Sequence, residues 1–204
     1  MGTTSYISEK EYREMGSEGP ATDLVDGELV ERWTPEFPEA KTLFSEEEYR
    51  AMSFDGPTPD FVDGELVERS VPYTPHSAAQ TDFAVYFSGR SHDSVPLLPL
   101  VELDIRVAPK RTRVADVAIF AHKRPSEAPI TVPPLAVIEI LSPGEKYKTV
   151  LAKLNDYRQM GVPNIWVVNL DPPQFQVYSA AGLLNVDAFE LPEYGVHIDP
   201  AILT

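Results

Sequence analysis

The stretch from Leu135 to Met160, LAVIEILSPGEKYKTVLAKLNDYRQM, constrains this chain more than any other. Leu135 to Leu141 is apolar throughout except for one carboxylate, Glu139, and is closed by Ser-Pro-Gly. A short run rich in Val and Ile and bounded by turn residues reads as a strand buried on both faces. An ionised Glu placed there costs several kcal/mol unless a cation, a metal or a proton compensates it. From about Lys146, the residues Val150, Leu151, Leu154 and Tyr157 fall at helical spacing, with Gly161 just beyond. This predicts a helix packed on the sheet, with Lys153 at the edge of its apolar stripe and able to lean back over the buried acid.

The rest of the chain supplies the layers around that pair. Pro75 to about Arg90 reads as a helix with His76 at its start. Residues 97–107 alternate as a strand from Val101, with Leu103, Ile105 and Val107 on one face and Glu102, Asp104 and Arg106 on a solvated one. A basic turn, Pro109 to Arg113, leads into a short strand, Val114 to Phe120, that carries Asp116. Asn164 to Leu170 reads as a buried strand, and Gln174 to Ser179 as its hairpin partner across Asp171-Pro172-Pro173. Residues 183–204 hold short strand-like pieces that the sequence leaves unplaced. Consecutive strands before a single crossover helix imply a mixed sheet flanked by helices, an α/β or α+β layered domain.

An internal repeat precedes this domain. SEKEYREMGSEGPATDLVDGELVER (residues 8–32) returns as SEEEYRAMSFDGPTPDFVDGELVER (residues 45–69). Each copy opens with a capping-box pattern, Ser8 with Glu11 and Ser45 with Glu48, and ends in an extended pair turned at Asp26-Gly27 or Asp63-Gly64. Two units are too few for a solenoid, which needs about three. Residues 1–44 are therefore expected to be an extra helix-hairpin module with a Pro-rich linker (WTPEFPEAKT, residues 33–42), and 45–204 the main domain. Packing of the first copy on a partner chain would make a homodimer.

Composition sets outer limits. At 204 residues, with 43% hydrophobic and 24% charged, the chain is long enough for one core and is globular. It has no cysteine, so any metal must sit on oxygen or histidine. No apolar run approaches the roughly 18 residues that a membrane span needs, so a soluble, cytoplasmic protein is expected. The net charge of −15 argues against nucleic acid, but its distribution does not. Residues 1–70 carry 18 acids and 6 bases, whereas Arg106 to Arg124 carries six bases against the single acid Asp116. Lys110, Arg111 and Arg113 are thereby candidates for contacts to a nucleic-acid backbone.

Asp116 and Glu139, on adjacent strands, are expected to converge on one divalent cation, with the backbone carbonyl of Ile140 as a further ligand. Mg²⁺ (or Mn²⁺) takes oxygen ligands and is usually held by one or two carboxylates plus a substrate phosphate. A lysine beside such a site orients an attacking water or neutralises charge on a phosphodiester. Glu65, on the second hairpin, His76 and Tyr157 are accessory candidates.

At these residues the chain resembles the Uma family of restriction-endonuclease-like nucleases. The resemblance rests on ADVAIF, then PPLAVIEILSPG, then Lys153 and Tyr157 in LAKLNDYRQMGVPNIWVV, with EYRAMSFDGPTPDFVDGELVERSVPYTPHS upstream. It covers roughly residues 45–180 and implies the PD-(D/E)XK nuclease fold. The family's acids fall on Asp116 and Glu139, and its helix lysine on Lys153. The resemblance thus implies an Mg²⁺-dependent endonuclease that hydrolyses nucleic-acid phosphodiesters, most simply those of DNA. The chain departs from the pattern at Ala115, where the motif has proline, at Leu141, where the parent fold has its lysine, and at Thr149, where the family usually has an acid. Two rivals stand beside the nuclease reading: a nuclease fold retained as a non-catalytic nucleic-acid-binding or assembly module, which Leu141 and Thr149 favour, and a metal hydrolase of small phosphoesters, whose acidic surface would disfavour DNA.

Overall fold

The computed structural model describes residues 22–25, 28–31, 42–70, 73–92 and 95–203, with backbone alone for the segments before residue 42 and for 91–92. The chain divides into two compact units, residues 1–41 and 42–204. In the first, strands β1 (Thr22–Val25) and β2 (Glu28–Glu31) form an antiparallel hairpin with Asp23 opposite Val30 and Val25 opposite Glu28. The second copy of the repeat has the same register. Strands β3 (Asp60–Val62) and β4 (Glu65–Val67) place Asp60 opposite Val67 and Val62 opposite Glu65. The turn between them needs two left-handed residues, and Asp63 (φ 53°) and Gly64 (φ 97°) supply them. The capping box at Ser45 and Glu48 opens helix α1 (Glu46–Ala51), whose Tyr49 stacks on Phe61 of β3. The pattern at Ser8 and Glu11 and the Pro-rich linker fall outside the described residues.

The second unit is built on a nine-stranded mixed sheet. Its main path runs β11 (Gly182–Val186), β10 (Pro173–Ser179), β9 (Asn164–Leu170), β8 (Ala136–Ile140), β7 (Arg111–Ala121), β3 and β4. The long strand β6 (Val95–Ala108) lines the other edge of β7 and carries the short β5 (Ser91–His92). Among the described strands β8 and β9 alone form a parallel ladder, and the helical crossover α3 (Tyr147–Met160) that joins them makes this possible. Gly161 closes that helix in the left-handed conformation (φ 96°), as its position just past the apolar stripe predicts. The tail forms a separate hairpin, β12 (Phe189–Leu191) with β13 (Val196–Ile198).

Each face of the sheet carries a helix. Helix α2 (Thr74–Ser88) lays Phe83 and Phe87 on Val117, Ile138 and Trp166, and the tail closes the same core with Phe189 stacked between Trp166 and Phe175. On the other face, Val150, Leu154 and Tyr157 of α3 meet Ile105, Val137, Ile165 and Val167. Each such side chain, fully buried, contributes about 1.5–3 kcal/mol. Along β8 the alternation sends Ile138 towards α2 and Val137 towards α3, and it puts Glu139 on the α3 side. The layered α+β expectation, a mixed sheet with helices on both faces, holds.

Candidate active site

The edge of β7 that faces away from β6 is shared by two strands. At its start β3 pairs with it, Val62 opposite Arg111 and Phe61 opposite Thr112. Further on β8 takes over, from Val117 opposite Ile138 to Ile119 opposite Ala136. Between Thr112 and Val117 neither register reaches, so the sheet forks there. Backbone N–H groups in such a gap need other acceptors. Two carboxylates provide them. Asp60 accepts from Val114 N at 2.8 Å, and Asp116 Oδ2 accepts from Ile140 N at 2.7 Å.

The fork brings Asp116 and Glu139 into one pocket, lined also by Arg69, His76, Ile140 and Lys153. Lys153 Nζ donates to Glu139 Oε2 at 2.6 Å, and the Tyr157 hydroxyl to Oε1 at 2.8 Å. The two donors are one helical turn apart on α3, which points both at β8. Arg69 Nη2 donates to Asp116 Oδ1 at 2.8 Å, and His76 Nε2 lies 3.4 Å from Oδ2. All four oxygens of the two acids thus meet donors of the same chain.

Those surroundings push the two carboxyls apart. Burial drives Glu139 up to about 8, opposed by the charge of Lys153 and aided by that of Asp116. Burial acts on Asp116 as well, but the His76 hydrogen bond and the charges of Lys153, His76 and Arg69 outweigh it and hold Asp116 below the usual carboxylate range. Burial alone would lower Lys153, yet the charges of Glu139, Asp60 and Asp116 win and raise it. His76 rises in the same way, the Asp116 bond and charge overcoming its burial. Burial and then the Glu139 charge keep the Tyr157 hydroxyl protonated far above neutrality.

The structure therefore brings together Asp116, Glu139, Ile140, Lys153, Tyr157 and His76 from the sequence-derived set. Leu141 lies against the core cluster that contains Val150 and Leu154, so the lysine position of the parent fold is spent on packing, and Lys153 reaches the glutamate from the helix instead. Glu65 lies half-buried on β4, ahead of the residues Val67, Glu68 and Arg69 that line the pocket. Thr149, at the position where the family usually has an acid, lines the pocket as well.

The basic cluster needs a correction. Arg113 is 3% exposed and lies between Asp60 and Asp156, with contacts of 2.9 Å and 2.6 Å, so it ties β7 to β3 and α3 rather than facing a ligand. Arg111 is half-buried and pairs with Asp156 at 2.9 Å and with Asp63. Of the three, Lys110 alone is exposed. Glu102 and Asp104 are exposed, as a solvated strand face predicts, but the strand is not regular at Glu102. Glu102 adopts a left-handed φ of 47°, the ladder skips it between Val101 and Leu103, and its carboxylate accepts from Arg69 at 2.5 Å and from Gln80 at 2.5 Å. Arg69, Gln80 and Glu102 were missed as site residues. Arg69 did carry a signal, as the last residue of the repeated DGELVER.

Hard oxygen donors suit a divalent cation such as Mg²⁺ or Mn²⁺, and two carboxylates beside the Ile140 carbonyl are enough where waters and substrate complete the shell. Among the described residues no group of three or more His, Asp or Glu side chains is arranged to hold a metal ion. Among the same residues no helix is long and apolar enough to cross a membrane.

A family model described as "Uma2: Putative restriction endonuclease" matches residues 46–194. Among solved structures, the chain is similar to a putative nuclease belonging to DUF820 from Anabaena variabilis, with a TM-score of 0.65 and 19% identity over 77% of this chain and 95% of that one. No curated protein matches the chain.

Proposed function

The chain belongs to the Uma2 family of putative restriction endonucleases, and from that premise we propose that the pocket at the fork is the active site of a metal-dependent endonuclease acting on DNA. One observation carries this reading. Asp116 and Glu139, from adjacent strands, reach the same pocket, with Lys153 Nζ 2.6 Å from Glu139. Asp116, Glu139 and the carbonyl of Ile140 would hold Mg²⁺ or Mn²⁺. Such an ion supplies Lewis acidity to a phosphoryl oxygen and lowers the pKa of a bound water. Asp116 stays ionised across the neutral range and is the constant negative charge of the pair. Lys153 fixes the rotamer of Glu139 and places a positive charge beside the position where a phosphodiester gains negative charge. Tyr157 holds the other Glu139 oxygen, so the carboxylate is pinned from both sides before substrate arrives.

Calorimetric titration of Mn²⁺ into the wild type, Asp116→Ala and Glu139→Ala, with nicking of supercoiled plasmid by the same samples, tests the reading. Metal uptake and nicking lost together in both variants support it. A wild type that takes up no metal and nicks nothing sinks it.

A second reading is a nuclease fold that binds nucleic acid without cutting. It is favoured by the donors on all four carboxylate oxygens, which satisfy the acids with no metal present. Under it, both alanine variants lower thermal stability and leave DNA retention unchanged.

A further inference from the structure

We infer that Arg69 is the resident counter-cation of Asp116, which a divalent metal must displace, and that Glu102 is the anchor that keeps the displaced guanidinium at the site. This rests on the metal-dependent reading of the pocket and adds to it an internal competitor for the metal.

The five donors around the acids, His76 at 4% exposure among them, are not equally able to leave. The Ile140 N–H belongs to the backbone at the end of β8. Tyr157 is fully buried, and Lys153 is held on α3 against a carboxylate 7% exposed. Arg69 differs in three respects. It lies beyond the last residue of β4, outside any strand or helix. Its side chain is 12% exposed, more than that of Lys153 or Asp116. It also has a second partner, since Nη1 donates to Glu102 Oε2 at 2.5 Å and Nη2 lies 3.4 Å from Oε1. The fork of a guanidinium spans two carboxylates at once, and a single point charge does not. Arg69 can thus release Asp116 and keep a counter-charge.

Glu102 is placed for this by an unusual backbone. A non-glycine residue in the left-handed region costs on the order of 1 kcal/mol or more and persists where the surroundings hold it. Here it sits in the middle of a fourteen-residue strand. The turn it makes brings its carboxylate to Arg69 and to Gln80, whose Nε2 also lies 3.3 Å from the Asp116 carbonyl oxygen. Gln80 therefore ties the anchor to the same strand position as the metal-binding acid. Glu102 is the more exposed partner, at 36%, so a guanidinium resting on it alone is more open to solvent than one bridging both acids. Metal entering at Asp116 and an anion bound by Arg69 then favour each other by linkage.

The test is Mn²⁺ titration by calorimetry into the metal-stripped full chain, for wild type, Arg69→Gln and Arg69→Lys. With the competitor removed, Arg69→Gln is expected to bind Mn²⁺ about tenfold more tightly than wild type. Arg69→Lys keeps a charge but cannot bridge both acids, and is expected about threefold tighter. Metal bound by the wild type and bound equally or less tightly by Arg69→Gln, with a cooperative melt, overturns this inference and leaves the nuclease reading standing. Metal bound by neither overturns both. If Arg69→Gln does not melt cooperatively, Arg69→Lys decides: tighter binding than wild type supports the competitor, and equal or weaker binding overturns it.

Discussion

Lys153 reaches Glu139 from the helix that follows its strand, fourteen residues on, and closes to 2.6 Å in a place where both side chains are nearly sealed from water. The ammonium is thereby the main compensation for a carboxylate embedded in an apolar strand. Removing one member of such a pair is costly because the other stays behind. Lys153→Ala is expected to lose about 3–5 kcal/mol at pH 8.5, where the buried Glu139 must either ionise without its cation or hold a proton that the solvent no longer supplies freely. The loss is smaller at pH 6, where Glu139 takes up a proton instead. Urea denaturation at the two pH values checks this, and an equal loss at both counts against it.

The raised Glu139 carboxyl has its own pH signature. Its folded value, about 8, lies above the value of 4.5 for an unperturbed glutamate, so the stability linked to it is complete below about pH 4.5 and declines as pH rises through about 8. His76, raised above 6.5, loses its contribution in an overlapping range, so the comparison must be with a variant. Glu139→Gln cannot titrate and should have a flatter melting profile than wild type between pH 5 and 8.5. The difference should amount to a few kcal/mol, since a tenfold change in a proton-binding constant corresponds to about 1.4 kcal/mol. Parallel profiles would show that Glu139 does not titrate in this window.

Asp60 has two duties at the fork, accepting from Val114 N and pairing with Arg113. Asp60→Ala leaves a buried guanidinium with one partner fewer and a backbone N–H without its acceptor. A loss of about 3–5 kcal/mol follows. Asp63→Asn keeps a residue that tolerates the left-handed turn, removes only the exposed charge beside Arg111 and should cost under about 1 kcal/mol. Paired denaturation curves give the contrast directly, and equal losses would contradict the structure.

Lys110 offers a separation of stability from binding. It is exposed in the turn between β6 and β7 with φ 56°, a conformation that glycine adopts without penalty. Lys110→Gly should raise stability by about 1 kcal/mol. If this lysine touches a nucleic-acid phosphate, the same variant lowers the salt dependence of DNA binding by about one unit of slope. Electrophoretic retention at several salt concentrations reads the second effect, independently of the melt.

Local patterns made much of this legible in the sequence. The strand around Glu139, the helix ending at Gly161 and the Asp63-Gly64 turn are set by spacing and by residues that tolerate special backbone angles, and all three stand in the structure. The tail hairpin, β12 with β13, has strands of three residues, too short for periodicity to place. Arg113 was misjudged because its acids lie 53 and 43 residues away, so a local count of bases could not reveal that it was already paired. The contacts of Glu102 with Arg69 and Gln80 are invisible in the sequence because alternation assumes a regular strand, and one left-handed residue redirects the side chain. Gln80 reaches the site through that redirection and through the Asp116 carbonyl oxygen, 3.3 Å from its Nε2.

The gap along β7 also decides where this molecule can yield. Hydrogen bonds between strands are many and collective, so changing one of them disturbs a whole register. A carboxylate that fills in for a missing strand answers to a rotamer alone. Asp60 and Asp116 are such fillers, and a rearrangement of Asp116 exchanges individual partners while the ladders on either side stay intact. A gap in the backbone pairing of the sheet is thus also the place where the partners of Asp116 can change without remodelling the fold.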